Sequence, residues 1–145
     1  MMKYMDKDVF TKVDTFGVGA YNEAYKAYFT KDSFLNPIHN HKGEPTGVSN
    51  VTFEPGCRNN WHIHHAQSGG GQMLICTFGE GWYQEAGKEA ISLHEGMIIT
   101  IASGVKHWHG AKKDSWFSHL AYAIPGVEAY NEWLEVVSQE DYDAL

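Results

Sequence analysis

The chain has 145 residues, 43% of them apolar and 14% aromatic, which suits one packed core; two cores would each be too small to hold together comfortably. No apolar run approaches the roughly 20 residues that span a bilayer, which excludes a helical membrane protein. Eighteen acidic against eleven basic residues give a formal charge of -7, and Arg58 is the only arginine, so a phosphate-neutralising nucleic-acid surface is excluded as well.

The opening stretch MMKYMDKDVF carries charges where a signal peptide needs an apolar run, so the expected compartment is the cytoplasm. Ala20 to Thr30 reads as a short helix or an edge strand, and Asn36 to Gly47 as a polar loop. From residue 48 onward, short apolar segments alternate with glycine-bearing turns at strand-like intervals. They are VSNVTFE (48–54), WHIH (61–64), QMLICTF (72–78), GWYQ (81–84), EAISL (89–93), GMIITI (96–101), VKHWH (105–109) and WFSHLAYA (116–123).

Both faces of QMLICTF are largely apolar, as expected of a strand inside a closed or two-layered sheet. The expected class is therefore all-β, an antiparallel barrel or jelly roll. An irregular N-terminal arm (1–47) packs on a barrel core (48–124), and within a tail (125–145) the segment Val127 to Val137 forms a helical turn or two that docks Trp133 and Leu134. Cys57 and Cys76 have neither CxxC spacing nor disulfide density and read as free, buried thiols.

Five of the nine histidines fall in two short clusters. His62 and His64, two apart on a strand, leave the same face, the geometry two imidazoles need to share one metal ion; His65 points the other way. His107 and His109 repeat the pattern on a later strand. Gln72 shares a face with apolar residues and needs a partner there, either a metal ion or a hydrogen-bond network. His39 and His41 read as solvated loop residues and His94 as exposed. Trp61, Trp82, Trp108 and Trp116 read as packing residues, with a pocket wall as their alternative role.

These residues resemble the cupin superfamily. Its first motif appears as Gly56, His62, His64, Gln72 and Gly79, and its second as Gly96, Ala102-Ser103-Gly104 and His107. The resemblance implies one divalent metal ion inside the barrel, held by His62, His64, Gln72 and His107. Two departures stand out: Gln72 replaces the usual glutamate after a long glycine loop, which leaves Gln67 as a rival fourth ligand, and Ala102 replaces a proline. Three imidazoles and an amide leave the ion's double charge uncompensated, so the site is expected to be a strong Lewis acid that attracts small anions.

His109 has no place in that ligand set and is a candidate general base, with hydrogen bonding to the ligands as its alternative role. His119 is a second candidate catalytic residue. The runs VTFEPG, WHIH, KHWHGA and SHLA are similar to a group of small cupins. That group includes manganese-dependent hydroxynitrile lyases and cupins associated with carboxymuconolactone decarboxylase-like domains. In the lyases the second histidine of the H-W-H run, here His109, transfers protons, and the histidine twelve residues past the third ligand is His119. A site glutamine four residues further on is Ala123 here.

The resemblance thus implies a metal-dependent enzyme of lyase type acting on a small organic substrate, with a homodimer as the expected assembly. The alternatives are a ferrous dioxygenase and a non-catalytic small-molecule binder. Ligand types alone suit manganese, iron, nickel or zinc, and the resemblance favours manganese.

Overall fold

The computed structural model describes residues 2–145. It begins with a short helix, α1 (Lys7–Val13), whose first turn is capped by Asp6: the carboxylate accepts from the Val9 N–H at 2.9 Å. Phe10 of this helix is buried against Tyr4, Val18 and Trp116, an apolar cluster separate from the main core.

The strands β1 (Ala20–Tyr21), β2 (Phe29–Thr30), β3 (Ser33–His39), β4 (Pro45–Phe53), β5 (Arg58–Asn59), β6 (His62–His65) and β7 (Ser68–Gly69) lead to the long β8 (Gln72–Glu85). After it come β9 (Ile91–His94), β10 (Ile98–Ile101), β11 (His107–Ala111), β12 (Phe117–Ala123), β13 (Gly126–Val127) and β14 (Tyr130–Trp133), then a second helix, α2 (Gln139–Asp143). Twelve of the strands pair antiparallel in a curled sheet whose main path runs β1-β3-β4-β12-β8-β11-β5-β2, with β7 and β13 paired apart from it, so the chain is an all-β jelly roll.

Strand β8 makes the curl. Its first half pairs with β10 and β12, and its second half with β9 and β11. The changeover falls at Gly79, whose φ of 75° lies in the left-handed region that only glycine enters freely. The segments 72–78 and 81–84 are therefore one bent strand rather than two. Between the two halves of the sheet lies a core that includes Val51, Phe53, Leu74, Leu93, Ile101 and Phe117. Cys57 and Cys76 are free and buried in it.

Three segments differ from expectation. Asn36–Gly47 is not a polar loop but most of a hairpin: Asn36 pairs with Asn50 and His39 with Pro45, and Asn40 closes the turn by accepting from the Lys42 and Glu44 amides. Its polar composition reflects a hairpin that runs out into solvent. The segment 127–137 is not helical, because backbone pairing with the exposed edge of β6 makes Tyr130–Trp133 a strand. The helix comes later, at Gln139, where the Ser138 hydroxyl accepts from the Asp141 N–H. Ala20–Thr30 contains both alternatives, with two short strands flanking a 3-10 turn at Glu23–Tyr28. Among the described residues, no helix is long and apolar enough to cross a membrane.

Candidate metal centre

Strands β6 and β11 lie side by side with His62 directly opposite His107. Because His62 and His64 are two residues apart on β6, both rings face His107, at centroid distances of 4.2 Å from His62 and 5.3 Å from His64. One nitrogen from each of the three rings falls within 4.8 Å of the others.

The remaining nitrogens show which atoms converge. His62 Nδ1 lies 2.8 Å from the Asn60 carbonyl oxygen, His107 Nδ1 is 2.9 Å from the Val105 carbonyl oxygen, and His64 Nδ1 is 2.7 Å from Asn131 Oδ1. Each acceptor holds a proton on Nδ1 and turns the Nε2 lone pair towards the shared point. His107 Nε2 is buried and has no hydrogen-bond partner. Three lone pairs aimed together in a buried space, one of them orphaned, fit a divalent cation, and this donor set can hold one.

Gln72, at the head of β8, puts its Oε1 3.2 Å from His64 Nε2. With His64 protonated on Nδ1, the two atoms present lone pairs to each other, which a cation beside them would satisfy. Gln67 bonds instead to Glu128 and does not line the cavity. His65 points away and meets the Glu132 carboxylate at 2.6 Å. His39 and His41 are exposed. His94 is half-buried rather than exposed, with Nδ1 on the Glu95 carbonyl.

His109 and His119 form a second histidine pair beside the first group. His119 Nε2 is 3.0 Å from His109 Nδ1, and both residues are buried. Asn59 completes the arrangement: its Oδ1 accepts from the His109 backbone N–H at 3.0 Å, and its Nδ2 lies 3.1 Å from His109 Nε2.

Burial holds the whole set of rings below the ordinary imidazole value of about 6.5. His62 and His109 are pushed well below it, by desolvation first and by neighbouring imidazoles second. Desolvation likewise lowers His64, and it brings His107 and His119 down to about 4. At neutral pH the five rings are uncharged.

A cavity of about 290 Å³ opens onto His62, His64, His109 and His119. None of the described residues lining it is an aspartate, glutamate, lysine or arginine. Tyr25, Phe29 and Trp133 form an aromatic wall: Trp133 stacks on Tyr28 at 4.6 Å and lies 4.7 Å from the His62 ring. Trp61, Trp82, Trp108 and Trp116 do not line the cavity. Sequence reasoning missed Asn59, Asn131 and the pocket role of Trp133. Asn131 and Trp133 lay in a segment read as helical, and nothing local marks Asn59 as the partner of a histidine fifty residues away.

No family model matches the chain. It is 39% identical over 94 residues to the (R)-mandelonitrile lyase of Granulicella tundricola, covering 65% of this chain and 69% of that protein. A cupin-like protein from Thermotoga maritima superposes with a TM-score of 0.74 at 35% identity, over 90% of this chain and 96% of that one. A cupin 2 conserved barrel protein from Rhodopseudomonas palustris gives a TM-score of 0.60 at 14% identity, over 91% and 84% of the two chains, and shares the fold. With the histidines of β6 and β11 brought to one point inside a curled antiparallel sheet, and with these identities over most of the chain, the protein belongs to the cupin superfamily.

Proposed function

We propose that the protein is a metal-dependent lyase that cleaves a small, uncharged hydroxy compound of the cyanohydrin type. The observation that carries this reading is the uncharged cavity in which a buried histidine pair stands beside three convergent imidazoles. His62, His64 and His107, with Gln72, would hold the ion, and manganese is the first choice by resemblance. When bound, the ion supplies a Lewis acid that steadies developing negative charge on oxygen or on a leaving anion.

The protein's own residues do the rest. Tyr25, Phe29 and Trp133 take the apolar body of the substrate and exclude water. His109, kept neutral by burial, accepts the hydroxyl proton. The carbon–cyanide bond breaks with its electron pair on cyanide as the carbonyl double bond forms. The proton then returns to cyanide, so the products are an aldehyde and hydrogen cyanide. Ala123, which stands where the lyases carry a glutamine, lines the same cavity and leaves it wider at that point.

The reading is tested by incubating manganese-loaded protein with mandelonitrile and following benzaldehyde release. His109→Ala should keep its metal and lose at least 100-fold in kcat, the loss expected of a general base. No turnover by the fully loaded parent would overturn the lyase reading.

A further inference from the structure

Four amide side chains line the cavity among the described residues: Asn22, Asn59, Gln72 and Asn131. Three of them turn to imidazoles, Asn59 to His109 and both Gln72 and Asn131 to His64. Asn22 does not. It precedes Tyr25 and Phe29 of the aromatic wall and holds the N-cap position of the 3-10 turn at Glu23–Tyr28. An asparagine in that position ordinarily accepts from the first N–H groups of the turn, yet the Asn22 side chain makes no such bond. Its backbone N–H donates to the Ser33 carbonyl oxygen at 2.9 Å, and its Nδ2 donates to Ser33 Oγ at 3.3 Å. Ser33 is not part of the cavity lining, so the bonded end of the amide turns towards β3 and the oxygen is left for the cavity side. Only 4% of Asn22 is exposed, and its Oδ1 is buried without a hydrogen-bond partner among the described residues. A carbonyl shielded from water and left unpaired costs free energy, which a donor brought in by a guest would recover.

We propose that Asn22 is a specificity-determining residue: its Oδ1 accepts from a hydroxyl carried on the ring of an aromatic guest, separate from the reacting group. Tyr25, Phe29 and Trp133 supply the apolar surface for that ring. At about 290 Å³ the cavity stands at the low end of ligand pockets and suits a guest of one ring. A pocket that offers a polar atom to a guest's hydroxyl turns away the analogue lacking it, because the atom is then left unpaired. The binding site follows from the cavity and the unspent amide end. That its guest is a substrate rests on the lyase reading, which it narrows to the cyanohydrins of ring-hydroxylated aromatic aldehydes.

The test titrates zinc-loaded protein with aldehydes, the products of the proposed cleavage, which bind without being consumed. Followed by NMR of the backbone amides, the better of meta- and para-hydroxybenzaldehyde should bind about 10-fold more tightly than benzaldehyde, the worth of one neutral hydrogen bond. The matching methoxybenzaldehyde has no proton to donate and should gain nothing over benzaldehyde. Asn22→Leu keeps the volume and removes the acceptor, so its preference for the hydroxyl should fall to within about twofold of unity. A parent preference below about threefold, an equal gain for the methoxy compound, or a preference that survives Asn22→Leu would overturn the proposal. Should Asn22→Leu not fold, Asn22→Ala is titrated in its place and the same limits apply. If the parent turns over mandelonitrile, the ring-hydroxylated cyanohydrin should show a KM about 10-fold lower with kcat within about threefold, since the added bond is made equally in the ground state and the transition state. Equal KM values would refute the role in substrate choice. Absence of turnover in the parent removes the lyase reading, while the titrations still decide the binding site.

Discussion

His62 and His107 each rest their Nδ1 on a backbone carbonyl two residues earlier, whereas His64 relies on the side chain of Asn131. That makes His64 the imidazole of the three whose basicity a substitution can tune. Asn131→Leu is expected to weaken zinc binding about 10-fold, the low end for such supporting bonds because Asn131 is exposed and water can stand in for it. Asn131→Asp should tighten binding. Competition against a chromophoric chelator measures both. His119 yields a pH prediction. Its ring faces His109, Phe53 and Phe117, and burial lowers its pKa to about 4, so between about pH 6.5 and 4 the unfolded chain binds a proton that the folded chain refuses. Stability is then complete above pH 6.5 and falls as the solution is acidified through that window, by at most about 1.4 kcal/mol per pH unit for one proton. In metal-free protein, His119→Gln should flatten the slope of denaturation free energy against pH by about one proton. The spacing of His62, His64 and His107 was legible because period-two alternation converts sequence separation directly into a shared face. Asn59 and Asn131 were not, because their partners lie 50 and 67 residues away.

At the level of single elements, β8 shows what a pattern of alternation can and cannot say. The apolar runs at 72–78 and 81–84 were readable, but their continuity was not, since a glycine between two runs marks a turn as readily as a bend. At Gly79 it is a bend, and a Cβ there would collide with the Trp116 carbonyl oxygen in addition to straining the backbone. Gly79→Ala should therefore destabilise the protein by about 3 kcal/mol, measured by urea denaturation. Gly87 has the same sign of φ but open space where a methyl would stand, so its replacement by alanine should cost far less, about 1 kcal/mol. Strand β14 was hidden for another reason: four residues hold strand form because β6 offers an edge, and no local preference announces that.

Across the molecule, binding of a metal ion to the folded state alone should raise stability by mass action, by about 2.7 kcal/mol when free metal exceeds the dissociation constant 100-fold. Dialysis against a chelator should lower Tm, and manganese or zinc should restore it. A variant with both His62 and His107 replaced by alanine should show no metal-dependent change in Tm. The order of the strands was not legible from the sequence, because pairings such as β12 with β4 and β8 depend on which edges meet after collapse.

The aromatic wall beside the three imidazoles has a wider consequence. Tyr25 and Phe29 come from ahead of residue 30 and Trp133 from beyond residue 130, while the imidazoles and Gln72 lie between residues 62 and 107. The ion's own ligands and the aromatic wall are thus written on different stretches of polypeptide, so descent with modification can redraw the doorway while those ligands stay in place, and one ancestral vessel can be refitted for many small molecules.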